Sequence, residues 1–313
     1  MAAVSPPKNT AWRHGLIAPR RFLIALAGMS RQNEFMFSEA TDLTRILLQA
    51  GAGLILIAGA TADLYLGLLV QTRRLMPSLP SYRTLTQRPF TFFHAQLALA
   101  STLVFAVPLL VQDGPAKTPK ESALVLGPVL YALAGFLVIT LCLTYSRTSM
   151  RQSFFSPHCS AREAITKGLL YGLAVIPPVL LLSLALTAVT EALGFEPALQ
   201  EVFDWLGDTT LSPGTRLFMI VAAVAIAPVV EELLFRGVLF TAVLKVRPFL
   251  FAALLSGLYF ALVHFHAPSF LPLLALSTAF SAGYAATGSI LTPIVMHALF
   301  NLTSVLLYLA GAA

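Results

Sequence analysis

The stretch Ala225-Ile-Ala-Pro-Val-Val-Glu-Glu-Leu-Leu-Phe-Arg-Gly-Val-Leu-Phe240 decides how this chain is read. Two adjacent carboxylates, Glu231 and Glu232, and one arginine, Arg236, stand in a run otherwise fit only for lipid or a tight core. A charged side chain at the centre of a spanning helix costs roughly 2.5–3.5 kcal/mol, so the two acids cost about 5–7 kcal/mol before compensation. Helical spacing supplies part of that compensation. Glu232 and Arg236 lie at i, i+4 and can pair on one face. Glu231 is turned about 100° away and is left to face something else. Pro228, just ahead of the pair, predicts a kink. A structural ion pair would explain Glu232 and Arg236 alone, but ionisable groups inside a membrane mark functional sites by default.

Outward from this stretch the composition agrees. The chain has 313 residues, 57% hydrophobic and 11% charged, where a soluble domain carries about 25% charged residues. The fold class that follows is all-α: a polytopic transmembrane helical bundle of about eight spans. The 20 basic and 14 acidic side chains are spread through the loops, with no basic stripe interleaved with aromatics. That excludes nucleic acid as a partner and leaves membrane lipids, whose anionic headgroups suit the basic excess. Cys142 in a span and Cys159 in a loop form neither a disulfide framework nor a zinc knuckle.

Taken in order, residues 1–45 read as a basic interfacial segment around the apolar piece Phe22–Met29, too short to span. Residues 46–190 hold four spans: about Ile46–Val70, Thr91–Val111, Ser122–Tyr145 and Gly168–Thr190, the last bent at Pro177-Pro178. Asp63 in the first reads as a polar contact or a snorkelling end residue. Residues 191–214 form an acidic linker in which Leu199, Val202, Phe203 and Leu206 make one amphipathic face, at the interface or capping the site. Residues 215–311 hold four more spans: about Thr215–Leu244, Pro248–Phe265, Leu271–Ala286 and Ser289–Gly311. Lysines and arginines divide almost evenly between the two sides, so charge does not set the orientation.

Two further polar constellations lie in this last part. Phe260 precedes His264 by four residues, and His297 precedes Asn301 by four. Either histidine alone would read as a satisfied core residue, and an i, i+4 polar pair alone as a bridge between helices. Together with Glu231 they are nearly all the strongly polar groups of the last hundred residues. At 1.5 Å per residue Glu231 and His264 share a level, roughly 21 and 24 Å from the turn that joins their helices. His297 joins them only if the uncharged turn Ala286-Thr-Gly-Ser289 is recessed. A carboxylate, two imidazoles and a carboxamide suffice for acyl hydrolysis: a glutamate takes a proton from water, and N–H donors hold the oxyanion. No serine or cysteine stands out as a nucleophile, and HExxH is absent. Glu231, His264 and His297 could instead ligate a catalytic zinc or another divalent metal.

These three constellations resemble the CAAX prenyl protease and bacteriocin-processing family of intramembrane proteases. Its EExxxR motif is matched by Glu231, Glu232 and Arg236, its FxxxH motif by Phe260 and His264, and its HxxxN motif by His297 and Asn301. The flanking run Gly283-Tyr-Ala-Ala-Thr-Gly-Ser-Ile-Leu-Thr-Pro-Ile-Val-Met-His-Ala-Leu-Phe-Asn301 also resembles the family's lead into the last motif. The resemblance covers about residues 215–305; the four earlier spans carry no matching motif. It implies an eight-helix membrane endopeptidase in which Glu231 and His264 activate water, His297 and Asn301 hold the oxyanion, and Glu232 and Arg236 orient them. The family is often labelled a metalloprotease, yet a metal-free reading suits Asn301 better, since carboxamides are good oxyanion donors and poor zinc ligands. The expected partner is a peptide, or a lipidated or other membrane protein, cleaved in a bacterial cytoplasmic membrane. Two other functions compete: a non-catalytic immunity or scaffold protein of the same fold, and a transporter. A transporter predicts polar groups along a whole pathway or paired repeats; here they cluster at three points.

Overall fold

Every residue from Glu232 to Leu244 is buried, so the second half of the helix that carries the carboxylate pair runs through the core of the fold. The computed structural model describes residues 42–71, 79–110, 120–195 and 200–311. Most of the expected basic N-terminal segment, residues 1–41, lies outside the described residues, as does Leu199 of the amphipathic face. The described elements are α1 Asp42–Gln71, α2 Leu79–Thr86, α3 Phe92–Leu110, α4 Glu121–Tyr145, α5 Met150–Phe154, α6 Ala161–Ala192, α7 Glu201–Gly207, α8 Pro213–Leu244, α9 Phe249–Leu262, α10 Phe270–Thr287 and α11 Leu291–Leu309. No strand occurs among the described residues.

A helix needs about 20 apolar residues to cross a hydrocarbon core of about 30 Å. Among the described residues five helices meet that test: α4, α6, α8, α10 with the 3₁₀ turn Ala267–Ser269 that leads into it, and α11. The protein is an all-α integral membrane bundle, and each of the eight expected spans corresponds to a helix. The sixth departs from expectation. Instead of running from Pro248 to Phe265, α9 has 14 residues and stops at Leu262, because Phe265 adopts a left-handed conformation (φ 47°) that no helix continues through. Pro268 follows closely and commits the chain to a turn.

Contacts between helices distant in sequence fix an alternating course. The start of α6 meets the start of α11, where Thr292 donates to the Ala164 carbonyl at 3.0 Å. The start of α4 meets the start of α8, where Glu121 accepts from the Ser212 N–H at 2.9 Å and from the Thr215 hydroxyl at 2.5 Å. Small residues set the close approaches, as expected where lipid offers helices no hydrophobic drive to associate. A Cβ on Gly168 would stand 2.8 Å from Val295 Cβ, and one on Gly135 of α4 would stand 2.3 Å from Val230 Cγ1 of α8. The short α7 caps the bundle. Its Leu206 is buried among Leu124, Leu211, Met219 and Tyr308, with Val202 and Phe203 packed alongside. The turn between α10 and α11 is enclosed by protein, as a shared level for His297 and Glu231 requires. Thr287 and Ser289 are buried, Gly288 takes the left-handed cap (φ 67°), and Arg88 donates to its carbonyl at 2.8 Å.

Candidate active site

The site begins with a break in helix α8. Ala222–Ile226 and Leu233–Phe240 wind as wider π turns, on either side of the α-helical turn Ala227–Glu232. Such turns leave carbonyls to be satisfied from elsewhere. In the first, the Ala227 N–H bonds the Ala222 carbonyl five residues back. The same register would assign the Ala223 carbonyl to residue 228, which is proline and has no N–H. Asn301 of α11 fills the gap, its Nδ2 donating to Ala223 O at 2.7 Å. In the second, Ser256 of α9 donates to the Phe235 carbonyl at 3.2 Å. The sequence predicts a kink at Pro228; the structure adds that the carboxamide of the third motif closes it.

The two acids of the first motif have separate surroundings. Glu232 and Arg236 have no exposed side-chain area and pair at 2.7 Å. The guanidinium also donates to Ser277 Oγ at 2.6 Å and lies 4.7 Å from the Phe260 ring centroid and 5.1 Å from that of Phe280. Rings and cation together make a dry cage in which a buried charge is both paired and hydrogen-bonded. The same Glu232 Oε1 accepts from His297 Nδ1 at 2.8 Å. That bond fixes the imidazole tautomer with its proton on Nδ1 and turns Nε2 outward. Nε2 lies 3.9 Å from Oε2 of Glu231, whose side chain keeps 14% exposure. A water set to one side of that line reaches both atoms at hydrogen-bond distance.

Glu231, Glu232, Arg236, His297 and Phe260 are therefore gathered in one cluster. His264 meets it through Phe260. It stands beyond the end of α9, with Nδ1 2.7 Å from the Phe260 carbonyl and its ring centroid 4.7 Å from that of Phe260. His297 also lies against Phe260, edge-on at 5.7 Å. Asn301 is joined to the cluster through α11, one turn from His297, and through its bond to α8. Ser277 and Phe280 of α10 were not singled out from sequence; an isolated serine and phenylalanine in an apolar helix carry no signal.

Among the described residues no three His, Cys, Asp or Glu side chains stand as a metal-binding group. The Nδ1 atoms of His297 and His264 are held by Glu232 and by the Phe260 carbonyl, which leaves both Nε2 atoms open.

Residues 213–303 match the family model described as type II CAAX prenyl endopeptidase Rce1-like. Over 91 residues the chain is 33% identical to the protein named "Putative membrane peptidase YdiL" of Bacillus subtilis (strain 168), a match covering 29% of this chain and 37% of that relative. The chain thus aligns with little more than a third of that protein's length. No solved structure matches significantly. The resemblance to CAAX-type membrane proteases holds over α8 to α11, the segment that carries the cluster.

Proposed function

We propose that this protein is an intramembrane endopeptidase that hydrolyses a peptide bond of a membrane-associated or peptide substrate with water activated by Glu231. The observation that carries the reading is the pinned His297. Glu232, held by Arg236, binds its Nδ1–H and aims Nε2 at the one partly exposed carboxylate of the cluster. A water between Glu231 and His297 gives its proton to Glu231 as its oxygen attacks the substrate carbonyl. The second amide N–H of Asn301 is available to the oxyanion. On collapse, Glu231 returns the proton to the leaving amine. His264, at the edge of the cluster, faces the incoming chain. In this reading no step runs through a metal.

With this reading go a bacterial cytoplasmic membrane as the location and a lipidated or other membrane protein as the substrate. A scaffold of the same fold would retain the buried ion cluster but would not need Glu231 ionised. Comparing wild type with Glu231→Gln in proteoliposomes separates the two. The peptidase reading expects cleavage to disappear while thermal stability stays, and it fails if both proteins cleave alike.

A further inference from the structure

Helix α10 carries none of the three motifs, yet one turn of it touches two of their side chains. Ser277 Oγ accepts from Arg236 Nη2 at 2.6 Å. Phe280, three residues on and so on the same face, lies with its ring centroid 5.1 Å from the Arg236 guanidinium and 5.1 Å from that of the His297 imidazole. Gly257 of α9 lets α10 come this close: a Cβ there would stand 3.3 Å from Ser277 Oγ and 3.1 Å from Leu274 Cδ1.

The ion pair that anchors His297 is itself joined through one oxygen. Arg236 Nη1 donates to Glu232 Oε1 at 2.7 Å, and among the described residues neither Glu232 Oε2 nor Arg236 Nε meets a hydrogen-bond partner. Arginine and carboxylate favour two parallel bonds, a fork on both oxygens. Here Oε1 is shared instead, and also accepts from His297 Nδ1 at 2.8 Å. Closing the fork would draw the guanidinium across both oxygens and turn Oε1 away from the imidazole. Ser277 holds the other arm of the guanidinium, at Nη2, against that closure. Ser277 and Arg236 are both fully buried, so water does not compete for the bond.

We propose that Ser277 is a positioning residue for the hydrolysis: by holding Arg236 to a single contact with Glu232, it keeps Oε1 on His297 Nδ1 and Nε2 bare and facing Glu231. This rests on the peptidase reading. The hydroxyl acts through three hydrogen bonds in series, Ser277 to Arg236, Arg236 to Glu232 and Glu232 to His297. With the hydroxyl gone, the guanidinium closes on both oxygens of Glu232 and His297 loses its fixed acceptor. The imidazole proton then divides between Nδ1 and Nε2. An imidazole protonated on Nε2 offers the attacking water a donor where the site needs an acceptor.

The test uses the full chain in proteoliposomes, with Ser277→Ala, Ser281→Ala and Glu231→Gln beside wild type. The probes are an internally quenched peptide ending in a farnesylated cysteine and three further residues, and its unfarnesylated twin. Ser281→Ala is the control, because that equally buried hydroxyl donates to the Ser277 carbonyl of its own helix at 3.1 Å. Ser277→Ala is expected to lower kcat about 10–100-fold with KM changed less than about twofold, and Ser281→Ala to leave both unchanged. A second readout needs no turnover: nitrogen NMR of isotope-labelled histidines, with the His297 signals identified as those missing from His297→Gln. Wild type is expected to show one protonated and one bare ring nitrogen, and Ser277→Ala a pair drawn together or doubled by exchange between tautomers. Wild-type His297 signals in Ser277→Ala overturn the inference whatever the activity. So do wild-type kcat, a loss confined to KM, or the same changes in Ser281→Ala. If Glu231→Gln is inactive while Ser277→Ala matches wild type, only this inference fails. If Glu231→Gln cleaves as well as wild type, the peptidase reading fails, and the imidazole signals still decide whether Ser277 sets the tautomer.

Discussion

Replacing Arg236 with methionine should unfold the bundle at a measurably lower temperature, and the structure gives the size of the effect. Arg236 and Glu232 are both fully buried and pair at 2.7 Å, and the guanidinium is further held by Ser277 and two aromatic rings. Methionine fills much of the same volume, so the main loss is electrostatic. Glu232 keeps only His297 as a partner and remains a carboxylate in a dry interior. Breaking one side of such a pair costs about 3–5 kcal/mol, which at about 2–3 °C per kcal/mol for a chain of this size lowers the midpoint by roughly 6–15 °C. Cys142, buried in the main core, offers the assay. A thiol-reactive dye labels it only on unfolding, once the half-exposed Cys159 has been changed to serine. The double variant Glu232→Leu/Arg236→Met should recover much of the loss, since apolar replacement of a whole buried pair is often neutral or better. A midpoint within about 2 °C of wild type for Arg236→Met, or a double variant whose loss is the sum of the singles, would refute the reasoning.

The clip between α11 and α8 makes a second expectation. Asn301→Ala should cost about 1–3 kcal/mol by orphaning the Ala223 carbonyl, and less in a Pro228→Ala background, where residue 228 regains the N–H that the carbonyl lacks; equal costs in both backgrounds would contradict the clip. Exhaustive chelation should leave peptidase activity of the purified protein unchanged, with no stoichiometric metal by elemental analysis; loss restored by zinc alone would overturn the metal-free reading.

The helix that carries the acids was legible because charge in an apolar run is expensive and its spacing is informative. Glu232 and Arg236 at i, i+4 could hardly do other than pair, and the pair is present with Glu231 turned toward the exposed side. Helix positions followed from apolar length, which the bilayer enforces. What sequence did not reveal depends on contacts between distant segments. The π turns of α8 are set by which carbonyls Asn301 and Ser256 reach, and by the room that Gly237 leaves for Phe154, whose ring a Cβ there would meet at 2.2 Å. The early end of α9 rests on one left-handed residue, Phe265, a type not suited to that conformation by its side chain. Ser277 and Phe280 are ordinary residues of apolar helices until packing sets them beside a charge. Asn301, read as an oxyanion donor from its motif, carries a structural bond as well, and only its second hydrogen is left for chemistry.

The central claim is that Glu231 drives water onto a peptide bond. It is tested most directly by incubating purified wild type and Glu231→Gln, each in proteoliposomes, with solubilised bacterial membrane proteins in water enriched in heavy oxygen. New C-termini are then read by mass spectrometry. The account predicts that wild type generates a set of new C-terminal carboxylates carrying one heavy oxygen, and that Glu231→Gln, folded to the same thermal midpoint, generates none of them. The same labelled termini in the same yield from both proteins would contradict it.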